Sequence, residues 1–158
     1  MNDQAPLSWH NVGDGYSRVD SNRTRIFVAD DDDDMRILVC RALEKDGYDV
    51  VPIKDGLDAM NRIQEAFESP LLLPDLIIMD VLMPRYSGIG VLTALRRARW
   101  FTPVIMMTGF AHESVLQRAK DLGALTVFKK PFDMDDLRTA VLNASLTNVR
   151  ARSGSLFD

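Results

Sequence analysis

The chain has 158 residues, a mass of 17.8 kDa, 46% hydrophobic and 27% charged residues, which is the size and composition of one soluble globular domain. Its net charge of −4 argues against direct binding to nucleic acid or to anionic lipid. The sequence has no apolar stretch of the roughly 18 residues that cross a membrane and no signal peptide pattern, so we expect a cytoplasmic protein.

Residues 1–24 are rich in Asn, Asp, Ser and Gly without apolar periodicity, which predicts a flexible leader. We predict one folded domain over 25–145 and a tail over 146–158 that is too short for an output domain. Five apolar runs in the domain have the length of buried strands, and segments with a period near 3.6 follow them. These runs are Ile26–Ala29, Val50–Ile53, Leu76–Met79, Val104–Met107 and Leu125–Phe128.

The helices are predicted from apolar stripes and from residues that start or stop a helix. Gly47 should end the first helix, Asp55 should cap the second before Pro70 stops it, and Asp133 should begin the last. In chain order the stripes are Met35, Leu38, Val39 and Ala42; Leu57, Met60, Ile63 and Phe67; Val91, Leu92, Leu95 and Ala98; Val115, Leu116, Ala119 and Leu122; and Leu137, Ala140, Val141 and Ala144.

Two features of these helices carry no predicted chemistry. The only cysteine, Cys40, cannot form an internal disulfide, and its apolar neighbours indicate a packed helix position. The basic segment 96–99 is expected to be the exposed end of the third helix.

The alternation of strand and helix determines the fold class. It requires parallel strands joined by right-handed crossovers, with helices on both faces of the sheet. We therefore predict a doubly wound, flavodoxin-like α/β domain with five parallel strands in the order 2-1-3-4-5. In this order, ligands bind at the carboxyl ends of the first and third strands, where the winding direction reverses.

Acidic residues stand at that edge of the sheet. Asp30 and Asp31 follow the first strand and Asp80 follows the third, so their carboxylates should converge across strands about 4.8 Å apart. Like charges at this distance raise each other's pKa unless a cation lies between them. Because carboxylate oxygens are hard ligands, the sequence predicts a site for Mg²⁺ rather than for Zn²⁺.

Thr108 and Lys130 follow the fourth and fifth strands and should face the same site. A hydroxyl, an ammonium group and a metal ion around one carboxylate match the charges of a transferring phosphoryl group. A carboxylate can itself be the nucleophile, and Asp80 lies centrally between the other groups. Asp80 is therefore the predicted site of an aspartyl phosphate.

Four separated segments together resemble the receiver domains of two-component response regulators. They are VADDDDDMR at 28–36, IIMDVLMPRYSG at 77–88, VIMMTG at 104–109 and FKKPFD at 128–133. The resemblance covers about residues 25–145. It implies that Asp80 accepts a phosphoryl group from a phosphohistidine on a sensor histidine kinase or phosphotransfer protein, and that this switches binding to a downstream protein. A signalling protein rather than an enzyme is expected.

The resemblance also implies roles for the residues around Asp80. Asp31 would bind Mg²⁺ directly, Asp30 through water, and Leu82 through its backbone carbonyl, together with Asp80. Thr108 would turn toward the phosphoryl oxygens, and Lys130 would precede a cis peptide bond to Pro131. Gly109 would be the small residue beside the phosphorylation pocket, and Gly88 would close the loop after the third strand. The fourth helix, fifth strand and fifth helix would form the output surface, through which a homodimer is also possible.

Three positions depart from the usual receiver pattern. Val127 occupies the place of a switching Tyr or Phe, and Phe128 should face the opposite side of the sheet because side chains alternate along a strand. Leu82 and Phe110 stand where relatives often have polar residues that position the hydrolytic water. We expect these two apolar side chains to slow the loss of the phosphoryl group.

Two alternative functions remain open at this point. A Mg²⁺-dependent phosphohydrolase with an aspartyl nucleophile would use Asp30 and Asp32, but Asp34 stands where that class has a hydroxyl residue. The chain also has no spare residues for a substrate cap. The second alternative is a receiver scaffold that signals without phosphorylation, which Val127 leaves open.

Overall fold

The computed structural model describes residues 22–110 and 112–154, with the backbone alone for 149–154, and the backbone of a short antiparallel hairpin that pairs 11–12 with 15–16. The five strands of the main sheet are all parallel and lie in the order β2-β1-β3-β4-β5, as the sequence predicts. They are β1 Arg25–Ala29, β2 Asp49–Ile53, β3 Leu76–Asp80, β4 Val104–Thr108 and β5 Thr126–Lys129.

Helices cover both faces of this sheet. They are α1 Asp33–Lys45, α2 Gly56–Glu68, α3 Gly88–Arg97, α4 Glu113–Asp121 and α5 Met134–Gly154, with a 3-10 turn at Pro70–Leu72. One hydrophobic core joins the sheet to α2, α3 and α4, and the other joins it to α1 and α5. The predicted doubly wound α/β fold is therefore confirmed.

Local capping signals place the helix ends. The Asp55 side chain accepts a hydrogen bond of 2.8 Å from the Asp58 amide, which caps α2 as predicted. Gly47 has a φ of 92°, a conformation that glycine adopts without a steric penalty, and it follows the last residues of α1. The Asp32 side chain caps α1 by accepting a 3.0 Å hydrogen bond from the Met35 amide.

Four residues that the sequence places in apolar stripes or buried strands are exposed instead, namely Leu38, Phe67, Ala98 and Leu125. Leu38 is 55% exposed, since α1 buries Val39, Cys40 and Leu43. Four consecutive apolar residues at 37–40 allow more than one apolar stripe, and only packing against the sheet selects between them. Phe67 is 53% exposed, although its ring makes an edge-type contact with the ring of Trp100.

Secondary structure toward both ends of the chain also differs from expectation. Helix α5 continues to Gly154, across the predicted start of the tail at 146. No glycine or proline interrupts residues 134–153, so nothing in the sequence stops the helix earlier. The hairpin at 11–16 was not expected either, although Gly13–Asp14 is a composition typical of two-residue turns. The other residues predicted as a leader up to 21 lie outside the described residues.

Arg96 is not the solvent-facing residue that the basic segment suggested. Its guanidinium donates to the backbone carbonyls of Leu122 at 2.9 Å, Trp100 at 2.8 Å and Thr102 at 3.2 Å. Partial burial lowers its pKa. Arg96 therefore ties the end of α3 to the end of α4 and to the segment before β4.

Within the described part of the chain, no helix combines the length and apolar character needed to cross a bilayer.

Cys40 is buried, as predicted, and burial raises the pKa of its thiol from 9.0 to about 12. The thiolate is the reactive form, so at pH 8 we expect the folded protein to react with Ellman's reagent on the order of a thousandfold more slowly than the unfolded protein. Stopped-flow absorbance with and without guanidinium chloride measures both rates. Comparable rates in the two states would contradict the buried position.

Candidate functional site

Three carboxylates meet at the carboxyl ends of β1 and β3. These strands are hydrogen-bonded neighbours, so residues directly after them lie side by side. Oxygen atoms of Asp30, Asp31 and Asp80 all lie within 4.8 Å of one another. Asp30 and Asp80 are buried, whereas Asp31 is exposed and marks the opening of the site to solvent.

The Asp30 carboxylate is fully buried and bound on both oxygens. One oxygen accepts a hydrogen bond from the Asp32 amide at 2.9 Å, and the other accepts from Lys130 Nζ at 2.8 Å. The Asp30 amide donates to the Ile53 carbonyl at 3.1 Å, which fixes the loop against the neighbouring strand. This buried negative charge is therefore held by the Lys130 cation and by one backbone amide, that of Asp32, as buried charges require.

Asp80 shares the same cation. One of its oxygens accepts a 2.9 Å hydrogen bond from the Leu82 amide, and the other accepts from Lys130 Nζ. Burial raises the pKa of the Asp80 carboxyl, the hydrogen bonds from Lys130 and Leu82 act in the opposite direction, and the charge of Asp30 adds to the rise. The side chain thus combines a partly desolvated oxygen nucleophile with a cation at hydrogen-bond distance.

Lys130 reaches the site from the end of β5. Its backbone amide donates to the Thr108 carbonyl at 2.7 Å, and the peptide bond to Pro131 is cis, in agreement with the sequence expectation. Burial alone would lower the pKa of Lys130, but its hydrogen bonds to Asp30 and Asp80 raise it above its usual value. Lys130 is therefore an ammonium ion at neutral pH.

The Thr108 hydroxyl is engaged away from the carboxylates. Thr108 is buried at the end of β4, beside Asp80 on β3, but its Oγ1 donates to the Phe110 carbonyl at 2.7 Å and accepts from the Phe110 amide at 3.1 Å. The Phe110 ring in turn lies edge-on to the His112 ring, with centroids 4.6 Å apart. The hydroxyl must leave this loop before it can face a group on Asp80.

The other predicted positions surround this centre. Leu82 and Phe110 have exposed side chains at 56% and 57%. Val127 packs in the core shared with α2, α3 and α4, and Phe128 packs in the opposite core, as the alternation predicts. Gly88 lies beneath the site, where a Cβ would stand 2.0 Å from the Asp80 carbonyl oxygen.

Two residues near the site were missed by the sequence analysis. Arg36, in the first turn of α1, donates from Nη1 to the Asp30 carbonyl at 2.7 Å. Gly56 allows the loop after β3 to approach α2 closely, because a Cβ there would stand 1.9 Å from the Tyr86 carbonyl oxygen. The sequence offers two signals for these residues: Arg36 follows a run of acidic residues, and Gly56 follows a helix cap. Neither signal specifies a tertiary partner.

The donor set fits the metal that the sequence predicts. The cluster offers carboxylate oxygens, and its exposed member leaves room for water ligands. Mg²⁺ prefers a few carboxylates together with several waters, whereas Zn²⁺ prefers histidine or cysteine. Asp30, Asp31 and Asp80 are therefore suited to hold Mg²⁺.

The chain is similar to known proteins in both its sequence and its fold. The family described as the response regulator receiver domain matches residues 26–142. Sporulation initiation phosphotransferase F of Bacillus subtilis is 34% identical over 117 residues, which are 74% of this chain and 90% of that protein. Transcriptional regulatory protein PdtaR of Mycobacterium tuberculosis is 35% identical over 118 residues, which are 74% of this chain but only 54% of PdtaR. The receiver domain of Francisella response regulator 1452 superposes with a TM-score of 0.70 at 26% identity, covering 82% of this chain and 99% of that one.

Proposed function

Because the chain belongs to the response regulator receiver domain family of two-component signalling, we propose that it accepts a phosphoryl group on Asp80 and thereby switches its binding to another protein. The donor would be a phosphohistidine on a sensor histidine kinase or a phosphotransfer protein. The observation that carries this proposal is the single ammonium group of Lys130 bound to both buried carboxylates, beside the exposed Asp31.

The proposed transfer needs one bond to form and one to break. A carboxylate oxygen of Asp80 forms the new bond to phosphorus, while the phosphorus–nitrogen bond of the donor breaks and its electron pair returns to the imidazole. Lys130 is placed to donate hydrogen bonds to the charged oxygens throughout, and Thr108 can do so once it leaves Phe110.

We propose that Asp30, Asp31, Asp80 and the Leu82 backbone carbonyl hold Mg²⁺ in this site. When bound, the ion supplies positive charge that stabilises the phosphoryl oxygens. The buried carboxylates are already oriented by hydrogen bonds to Asp32, Leu82 and Lys130, so they need little rearrangement.

The proposed output runs through the loop after β4. Phosphorylation would draw the Thr108 hydroxyl away from Phe110 and shift this loop toward a second arrangement. The neighbouring surface of α4, β5 and α5 would then bind a downstream protein, or a second copy of the chain, differently. A location in the cytoplasm, where such donors act, remains part of the proposal.

Phosphorylation with a small-molecule donor tests this function directly. We expect incubation with Mg²⁺ and acetyl phosphate to add the mass of one phosphoryl group to the intact protein, and EDTA or Asp80→Asn to prevent the addition. A phosphoryl group retained in Asp80→Asn would overturn the assignment. Steady turnover of p-nitrophenyl phosphate would instead support the alternative phosphohydrolase.

The two exposed apolar side chains at the opening give a kinetic prediction. A Leu82→Asn, Phe110→Glu double variant should lose its phosphoryl group at least about tenfold faster, because polar groups there can position a water for attack on phosphorus. Decay of the phosphorylated species by intact mass measures the rate. Leu125→Asn, which changes an exposed leucine before β5, is the control. Equal decay rates in the double variant and the wild type would contradict this role.

A further inference from the structure

The side chain of Arg36 is largely buried against the acidic loop after β1. It is only 15% exposed, although it belongs to the first turn of a surface helix. Nη1 donates to the Asp30 carbonyl at 2.7 Å, and Nη2 pairs with Asp33. The Arg36 amide also donates to the Asp32 carbonyl at 2.9 Å. Arg36 therefore contacts the loop at Asp30 and Asp32, and the first residue of α1 at Asp33.

The contact with the Asp30 carbonyl controls a specific part of the backbone. This carbonyl belongs to the peptide unit that joins Asp30 to Asp31, and the atoms of a peptide unit lie in one plane. Holding the carbonyl oxygen therefore sets the direction in which the chain enters Asp31. Among the described residues, the other hydrogen bonds of this loop hold the Asp30 amide and carboxylate and the Asp32 side chain, not this carbonyl.

We propose that Arg36 is a positioning residue for the metal. Its guanidinium holds the peptide unit between Asp30 and Asp31 so that the Asp31 carboxylate faces those of Asp30 and Asp80. This role rests on the proposed Mg²⁺ site. Side chains that orient metal ligands in this way commonly contribute about tenfold or more to metal affinity.

Electrostatics alone predicts the opposite effect. Arg36 is a cation beside five consecutive aspartates at 30–34, and it would repel a divalent cation that approaches the same loop. If charge were its only contribution, removing Arg36 would strengthen Mg²⁺ binding. If Arg36 positions Asp31, removing it must weaken binding. The sign of the change therefore distinguishes the two roles.

The test measures Mg²⁺ affinity in the full chain by isothermal titration calorimetry, without any phosphoryl donor. We expect Arg36→Met, which keeps an apolar stem but has no donor or charge, to bind Mg²⁺ about tenfold more weakly than wild type. Arg41→Met removes an exposed arginine from the same helix and should stay within about twofold. Unchanged or tighter binding by Arg36→Met would overturn the proposal.

A second variant keeps the test decisive if Arg36→Met does not fold. Arg36→Lys keeps the charge but lacks the planar fork that serves Asp30 and Asp33 together, so it should also bind Mg²⁺ more weakly than wild type. Affinity equal to wild type in this variant would likewise overturn the role. Failure of the wild type to bind Mg²⁺ would instead refute the proposed metal site itself.

Discussion

Replacing Lys130 by methionine is expected to lower the free energy of unfolding by about 3 kcal/mol near pH 7, because breaking a buried ion pair leaves uncompensated charge. The ammonium group lies between the buried carboxylates of Asp30 and Asp80, and among the described residues no other cation lies at hydrogen-bond distance from them. Urea unfolding followed by circular dichroism measures the difference. Lys129→Met, an exposed neighbour on β5, is the matched control.

The same variant should show a characteristic pH dependence. In the wild type, the pKa of Lys130 is raised above its usual 10.5, so the stability it contributes is present below pH 10.5 and is lost as the pH rises through the folded-state pKa. Without Lys130, protonation relieves the repulsion between the Asp30 and Asp80 carboxylates. The difference in the free energy of unfolding between Lys130→Met and the wild type should therefore also shrink as the pH falls. A Lys130→Met protein as stable near pH 7 as Lys129→Met would contradict the ion-pair role.

Gly88→Ala should be comparably damaging, although it adds a single methyl group. The new Cβ would stand 2.0 Å from the Asp80 carbonyl oxygen and 2.9 Å from its carbon, so the backbone must shift. Overpacking of this kind costs about 3 kcal/mol at a backbone contact that cannot yield. Because the shift displaces from α3 the strand that carries Asp80, the proposed phosphoacceptor, we also expect slower phosphorylation by acetyl phosphate.

Gly90→Ala provides the control on the same helix. There the nearest atom to a new Cβ is the Ser87 side-chain oxygen at 3.3 Å, and alanine favours the helix over glycine. The free energy of unfolding should stay within about 1 kcal/mol of the wild type. If Gly88→Ala behaves like Gly90→Ala in urea unfolding, the close approach of α3 to Asp80 is wrong.

Local signals explain why so much of the fold was predictable. Asp55 caps α2 through a contact three residues away, and Gly47 ends α1 through its own backbone conformation, so both act without tertiary partners. The edge that holds Asp30 and Asp80 follows from strand order alone, because parallel strands bring their carboxyl ends together.

The features that the sequence did not predict depend on long-range packing. Leu38 is exposed because the sheet selects one of two possible stripes on α1. Arg96 is half-buried because three backbone carbonyls converge on it, one at the end of α4 and two in the segment between α3 and β4. Arg36 was overlooked because a basic residue in a first turn normally faces solvent, whereas here it turns back onto a main-chain oxygen. Predicting each of these features requires the position of a distant partner, which the apolar periodicity of the sequence does not supply.

In the proposed switch, the paired hydrogen bonds between Thr108 and Phe110 impose a threshold on the release of the Thr108 hydroxyl. An occupant of the site gains the Thr108 hydroxyl only by breaking a donor contact of 2.7 Å and an acceptor contact of 3.1 Å, each worth about 1 kcal/mol. Thermal fluctuations would therefore rarely free the Thr108 hydroxyl from Phe110. Under the proposed function, a weakly held anion would leave the Thr108 hydroxyl bound to Phe110, so that background output would be low and the response would be reserved for a covalently attached group.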